Sequence, residues 1–188
     1  MVWQDYQPTK AWRNRLQPIT DAFLQPGTTI GIQIRRGDYG LGSCYDAFTP
    51  IEWYTDWLDM FWQSYQPARL FVATEDRELV EVFAKYDPVT VESLGVSLWT
   101  NPYPHCCYLP EDIESGKAHL LDWFPEWYAL TQCNVLLAAN STFSLTAAMA
   151  SRKAPEFWRP AWDWGSFIRE DVWNCLPLRL DCPREAKT

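Results

Sequence analysis

Histidine is almost missing from this 188-residue chain: His105 and His119 are the only two, and no metal-ligand spacing relates them. That argues against a zinc site and against a histidine-based catalytic triad. The six cysteines (Cys44, Cys106, Cys107, Cys133, Cys175, Cys182) form no CxxC pair and match no zinc-finger pattern. No apolar run approaches the roughly 18 residues of a membrane-spanning helix. The opening MVWQDYQPTKAWRNR lacks the charged start and apolar stretch of a secretory signal. Reduced, mostly buried thiols in a cytoplasmic protein are the expectation. Positive charge is also short: 16 Lys+Arg stand against 24 Asp+Glu, a net charge of −8. Such a chain has no broad basic face for nucleic acid or an anionic membrane, so an anionic ligand needs a local device. Residues 33–38 lack the glycine spacing of a phosphate-binding loop or a dinucleotide fingerprint, and Arg36-Gly37-Asp38 is a chance match to an integrin ligand.

What remains is the composition of one folded domain, 47% hydrophobic and 21% charged. The twelve tryptophans could serve sugar stacking, but many recur at helical spacing, which assigns most to the core or an interface. Residues 1–28 are polar and proline-punctuated, with a helix between Trp12 and Leu24 that Pro18 interrupts or restarts. Residues 29–34 are a β-branched run that reads as a buried strand. Thr49, Pro50 and Glu52 form a capping-box pattern. Behind them Trp53, Trp57, Phe61 and Tyr54, Leu58, Trp62, Tyr65 predict an amphipathic helix of about four turns. Residues 70–73 are a second strand, Asp76 opens a helix that Pro88 ends, and residues 89–91 are a third strand candidate. Residues 95–116 read as a long loop. Asp122 can cap a helix from Trp123 to Gln132, with Pro125 in its first turn. Residues 135–139 are the clearest buried strand, 144–151 a short alanine-rich helix, and 156–158 a last strand. Alternation of strands and helices predicts a doubly wound, mostly parallel α/β sheet with helices on both faces, a Rossmann-like fold. We divide the chain into an N-terminal segment (1–28), the α/β domain (29–160) and a C-terminal tail packing on it (161–188).

Open parallel sheets bind ligands beyond the carboxyl ends of their strands. Three polar clusters follow three predicted strands: Arg35-Arg36-Gly37-Asp38, Thr74-Glu75-Asp76, and Asn140-Ser141-Thr142-Phe143-Ser144, the last running into a helix. Small hydroxyl residues at a helix start suit phosphate, or merely cap the helix. Arg35 and Arg36 call for a nearby anion, either a ligand or carboxylates such as Asp38. Strand alternation puts Gln33 and Arg35 on one face, toward a ligand, and Arg36 on the other, paired internally. Arg35 facing a helix N-terminus makes a bidentate clamp for a diphosphate.

The stretch Ile30-Gly-Ile-Gln-Ile-Arg-Arg-Gly-Asp-Tyr39 resembles the His-x-Arg-Arg-Gly-Asp-Tyr signature of the fucosyltransferase superfamily. Phe71-Val-Ala-Thr-Glu-Asp76 is similar to that family's apolar strand ending in a hydroxyl residue and two acidic ones. The run from Leu130-Thr-Gln-Cys to Asn140-Ser-Thr-Phe-Ser144 looks like the bacterial α-1,2-fucosyltransferase motif. Together these cover about residues 29–151. The resemblance implies the donor-binding half of a two-domain, GT-B-type, inverting glycosyltransferase that needs no metal or other cofactor. It implies transfer of fucose from GDP-fucose to a glycan hydroxyl. Arg35 would hold the β-phosphate and stabilise its developing charge. Ser141, Thr142 and Ser144, with Asn140, would serve the diphosphate. Thr74, Glu75 and Asp76 would lie near the guanine or ribose, and Glu126 close to the nucleoside. Asp38 is the nearest candidate base. The family histidine is Gln33 here, which can hydrogen-bond but carries no proton. Only 28 residues precede the first strand, where the family has its acceptor half. The implied partners are a nucleotide-sugar donor and a glycan acceptor, with a partner chain or a second copy as a further expectation. The alternative is a non-catalytic nucleotide-sugar-binding module.

Overall fold

A computed structural model of the chain describes residues 8–36, 48–96 and 123–178. Five strands, β1 (Thr28–Ile34), β2 (Ala68–Thr74), β3 (Val135–Leu137), β4 (Glu156–Ala161) and β5 (Ser166–Glu170), form one sheet in the order β2-β1-β3-β4-β5. The first four are parallel and β5 is antiparallel to β4. The chain is α/β and Rossmann-like, as its alternation predicts.

Strand periodicity sorts the core into two layers. Ile30, Ile32 and Ile34 of β1 join Leu70, Val72, Val135 and Leu137 on one face. There they meet Tyr54, Trp57 and Leu58 of α2 (Ile51–Phe61) and Phe83 and Tyr86 of a 3-10 helix, Arg77–Tyr86. Phe71, Ala73, Leu136, Ala138 and Phe157 point the other way. They pack against Leu16, Ile19 and Phe23 of α1 (Lys10–Phe23), Ala129 and Leu130 of α3 (Phe124–Thr131), and Leu145, Ala147 and Ala148 of α4 (Thr142–Ala150). The connection from β1 to β2 carries α2 on one face; that from β3 to β4 runs the opposite way across the sheet and carries α4 on the other face. One handedness of crossover requires this arrangement. It leaves a topological switch point between β1 and β3, where open sheets hold ligands.

Several local expectations need correction. Pro50, not Thr49, is the N-cap of α2, and no side chain caps it. Thr49 is instead buried, its carbonyl accepting from Arg36 Nη2 at 3.3 Å, so the capping box does not form. α2 runs to Phe61 and continues as a 3-10 turn, Trp62–Tyr65, which makes up the expected length. The helix after Asp76 is 3-10 rather than α; Asp76 caps it by accepting from Glu78 N at 3.2 Å. Residues 89–91 contribute one parallel bridge, Val89 to Phe71, instead of a strand. α4 begins two residues before its expected start. The tail is not merely packed on the domain: β5 completes the sheet. Asp122 and most of the expected loop, residues 97–116, lie outside the described residues.

Candidate functional site

At the carboxyl edge the chain leaves β1 into Arg35 and Arg36. The carboxylate of Glu75, just past β2, receives Arg35 Nη1 through one oxygen and the backbone N–H of Arg36 (3.2 Å) through the other. One acidic residue thus ties the ends of two neighbouring strands. The Arg35 side chain keeps 31% of its surface exposed. Arg36 turns the other way, as alternation predicts. It donates to the carbonyls of Arg35 (3.0 Å) and Thr49 (3.3 Å) and lies 4.8 Å over the Phe48 ring. Its partners are carbonyls and a ring; Asp38 lies outside the described residues.

Gln33 sits one step back on β1, on the face that Arg35 continues. Ala73 is its register partner on β2. Ile32 pairs with Leu137 on the other side, which brings Ala138 beside Gln33. Flanked by two alanines, Gln33 is only 4% exposed, and its Oε1 finds no donor among the described residues. A buried carboxamide oxygen left this way costs free energy unless something donates to it.

Next to β1, β3 leads into Asn140 and Ser141. Ser141 is the N-cap of α4: its Oγ accepts from Phe143 N at 3.2 Å. Ser144 is fully buried, and its hydroxyl donates to the carbonyls of Ser141 (3.2 Å) and Ala139 (3.4 Å). That hydroxyl serves its own turn, contrary to the expected diphosphate contact. Thr142 is the exposed residue of this start. β1 and β3 are hydrogen-bonded neighbours, about 4.8 Å apart, so Arg35 and the positive end of α4 leave adjacent strands.

Asn140 is fixed by a residue that sequence reasoning missed. Arg159 of β4 is 1% exposed and donates from Nη2 to Asn140 Oδ1 at 3.0 Å. It also reaches Glu170 of β5 (3.3 Å) and the carbonyls of Leu176 (2.5 Å) and Pro177 (3.3 Å). The arginine-proline pair at 159–160 reads as the end of a strand, and nothing local signals that four distant acceptors await the guanidinium.

On the β2 side, Thr74 is buried and its Oγ1 accepts from Asp76 N at 3.2 Å. Arg77 joins three elements: it donates to the Thr74 carbonyl (2.5 Å), Glu126 of α3 (2.9 Å) and Glu92 (2.7 Å). Burial pushes the Glu126 carboxyl up from 4.5 to about 7, against the lowering effect of Arg77. Glu126 therefore changes charge near neutrality at this edge. Among the described residues, no group of three His, Cys, Asp or Glu side chains could hold a metal ion, and no helix is long and apolar enough to cross a membrane.

The structure thus brings Gln33, Arg35, Thr74, Glu75, Asp76, Glu126, Asn140, Ser141 and Thr142 to one edge of the sheet, with Ser144 buried behind them. No known family matches the chain, and no curated protein is significantly similar to it.

Proposed function

We propose that the crevice over the β1/β3 switch point binds a purine nucleoside-diphosphate sugar, GDP-fucose first among candidates, and that the chain is a fucosyltransferase-like glycosyltransferase acting in the cytoplasm. The observation that carries this reading is that Arg35 and the N-terminus of α4 leave adjacent strands at that point. In a protein of net charge −8, a guanidinium one strand away from a helix start is a local anion device of the kind a diphosphate needs. The orphaned Gln33 oxygen supports it, since a ligand hydroxyl or amine can supply the missing donor. Glu75 would hold Arg35 in place for the β-phosphate while Thr142 and the first N–H groups of α4 meet the diphosphate. Thr74, Asp76 and Glu126 line the side suited to a nucleoside.

In the reaction, an acceptor glycan hydroxyl attacks C1 of the sugar as the C1–O bond to the diphosphate breaks, with inversion. The hydroxyl proton passes to a base, and the negative charge growing on the leaving diphosphate is met by Arg35 and the helix start. No metal enters this scheme. The second reading, a binding module without turnover, is favoured by the state of the described carboxylates at the edge: Glu75 and Glu126 are each held by an arginine, and Asp76 caps a helix.

Calorimetry with GDP, UDP and ADP, in buffer and in excess chelator, tests the binding claim. GDP is expected to bind with the same dissociation constant in both; binding lost on chelation, or no preference for GDP, overturns it. Release of GDP from GDP-fucose across a panel of glycan acceptors separates the readings: acceptor-dependent release supports the transferase, and tight GDP binding with release no faster than buffer supports the module.

A further inference from the structure

A cavity lies at the opposite, amino edge of the parallel strands. It occupies about 440 Å³ between the end of α4, the turn that follows it, the first residues of β4 and the segment leaving β5. β4 separates it from the crevice by its own length, about 15–20 Å at 3.3 Å per residue. Its size falls in the range of small-molecule sites.

The lining is chemically mixed. Arg152 and Arg169 bring two positive charges; Glu156, Glu170 and Asp171 bring three negative ones; Trp173 completes the wall with 57% of its surface exposed. Glu170 is also paired with the buried Arg159 and Glu156 with Arg169, so the two signs balance and favour neither an anionic nor a cationic ligand. Charged groups on most sides disfavour a purely apolar one. A saccharide meets both conditions: its hydroxyls donate to carboxylates and accept from guanidinium groups. The partly positive C–H face of its ring suits the electron-rich face of an indole.

The groups are also held in place before any ligand arrives. Asp171 Oδ1 accepts from the Trp173 backbone N–H at 2.9 Å and its Oδ2 from Asn174 at 2.6 Å, so a closed turn presents the indole. Glu156 accepts from the Tyr65 hydroxyl at 3.0 Å and from Arg169 at 3.5 Å. In the facing turn Ala154 takes a left-handed backbone, φ 46°, which an alanine adopts only at an energetic cost. Strain of this sort in the wall of a cavity is a mark of a site whose shape matters.

We propose that this cavity is a saccharide-binding site, taking a neutral mono- or disaccharide with a ring face against Trp173 and hydroxyls among Arg152, Arg169, Glu156 and Glu170. It stands on its own geometry and does not depend on the reading of the crevice.

Saturation-transfer NMR on the full chain, with a panel of neutral methyl glycosides and disaccharides at millimolar concentration, tests it. Transfer to ring protons is expected for at least one sugar. Trp173→Ala is expected to weaken that sugar roughly tenfold, the scale of a lost aromatic contact, while Trp173→Tyr retains most of the affinity. Thermal melting of both variants is expected to match the wild type, because the side chain is exposed. Saturating GDP is expected to leave the signal unchanged. No transfer from any sugar, an unchanged signal in Trp173→Ala, or displacement of the sugar by GDP each overturns the proposal. The GDP arm keeps this result separate from the crevice: GDP can fail to bind there while the sugar signal persists, and the reverse.

Discussion

Arg35 and Arg36 are neighbours in the chain with opposite employment, and alternation along β1 is the reason. Arg35 shares a carboxylate at an exposed edge, whereas Arg36 is spent on two carbonyls and a phenyl ring. Arg35→Ala is expected to weaken GDP binding by about 1.5–3 kcal/mol, the range for a hydrogen bond to a charged group. Arg35→Lys should do nearly as badly, because a point charge does not reproduce a two-pronged donor. Arg36→Ala should lower the melting temperature more than it lowers affinity; calorimetry and thermal denaturation of the three variants check this. Glu126 offers a second residue-scale test. Its carboxyl titrates at about 7 in the fold against 4.5 ordinarily. Between those values the folded state binds more protons than the unfolded one, so stability falls as pH rises through the window and levels off above 7. Glu126→Gln should remove that decline, a change on the order of 3 kcal/mol across the window in the pH dependence of unfolding. An identical pH profile in the variant would falsify the assignment. Both arginines and Glu126 were legible from the sequence as residues; their partners were not, because Glu75, Thr49 and Arg77 reach them across other elements.

Elements whose period is carried by their own residues were the legible ones. β1, β2 and β3 declare themselves as apolar runs, and α2 by its aromatic stripe. Those that depend on distant partners were misread. β4 continues through Arg159 and Pro160 only because Glu170, Asn140 and two carbonyls satisfy the charge. β5 is five residues with one buried position, Phe167; its one local signal is the turn at Gly165, φ 62°, which makes a hairpin with β4. α2 starts one residue later than the capping pattern predicts, with Pro50 at its N-cap. Packing between elements also explains Gly31 in the middle of β1. A Cβ there would meet Cys133 Sγ at 2.6 Å and Leu130 Cδ2 at 3.3 Å, so α3 and the turn after it rest directly on the strand. Gly31→Ala is expected to cost about 1–3 kcal/mol by overpacking. Cys133→Ala in the same chain should recover much of it, and a double-mutant cycle from denaturant unfolding measures the coupling. Purely additive losses would show that the contact is not the cause.

At the scale of the whole molecule, a single parallel sheet gathers polar loops at one edge and leaves a cavity at the other. The edge with the crevice was predictable from which residues follow which strands. The cavity was not, because β5 brings Arg169, Glu170 and Trp173 to it and that strand has no clear period. Arg159 touches the crevice, β5 and residues 176–177 together. Arg159→Ala is expected to destabilise the fold by roughly 3–5 kcal/mol, since removing one member of a buried charged network strands the rest. Chemical denaturation gives that number, and a loss below about 1 kcal/mol contradicts a central role for this side chain.

The same guanidinium turns the far end of the chain into part of the crevice's scaffolding. Two of its acceptors are the carbonyls of Leu176 and Pro177. A protease cut or an engineered shortening that removes them leaves a buried cation seeking new oxygens, and Asn140 is the nearest side chain already in its grip. Damage far along the sequence would then register where the diphosphate is held. A fusion tag placed directly after residue 175 is a poor design for the same reason, and one that leaves residues 176–177 in place respects the joinery.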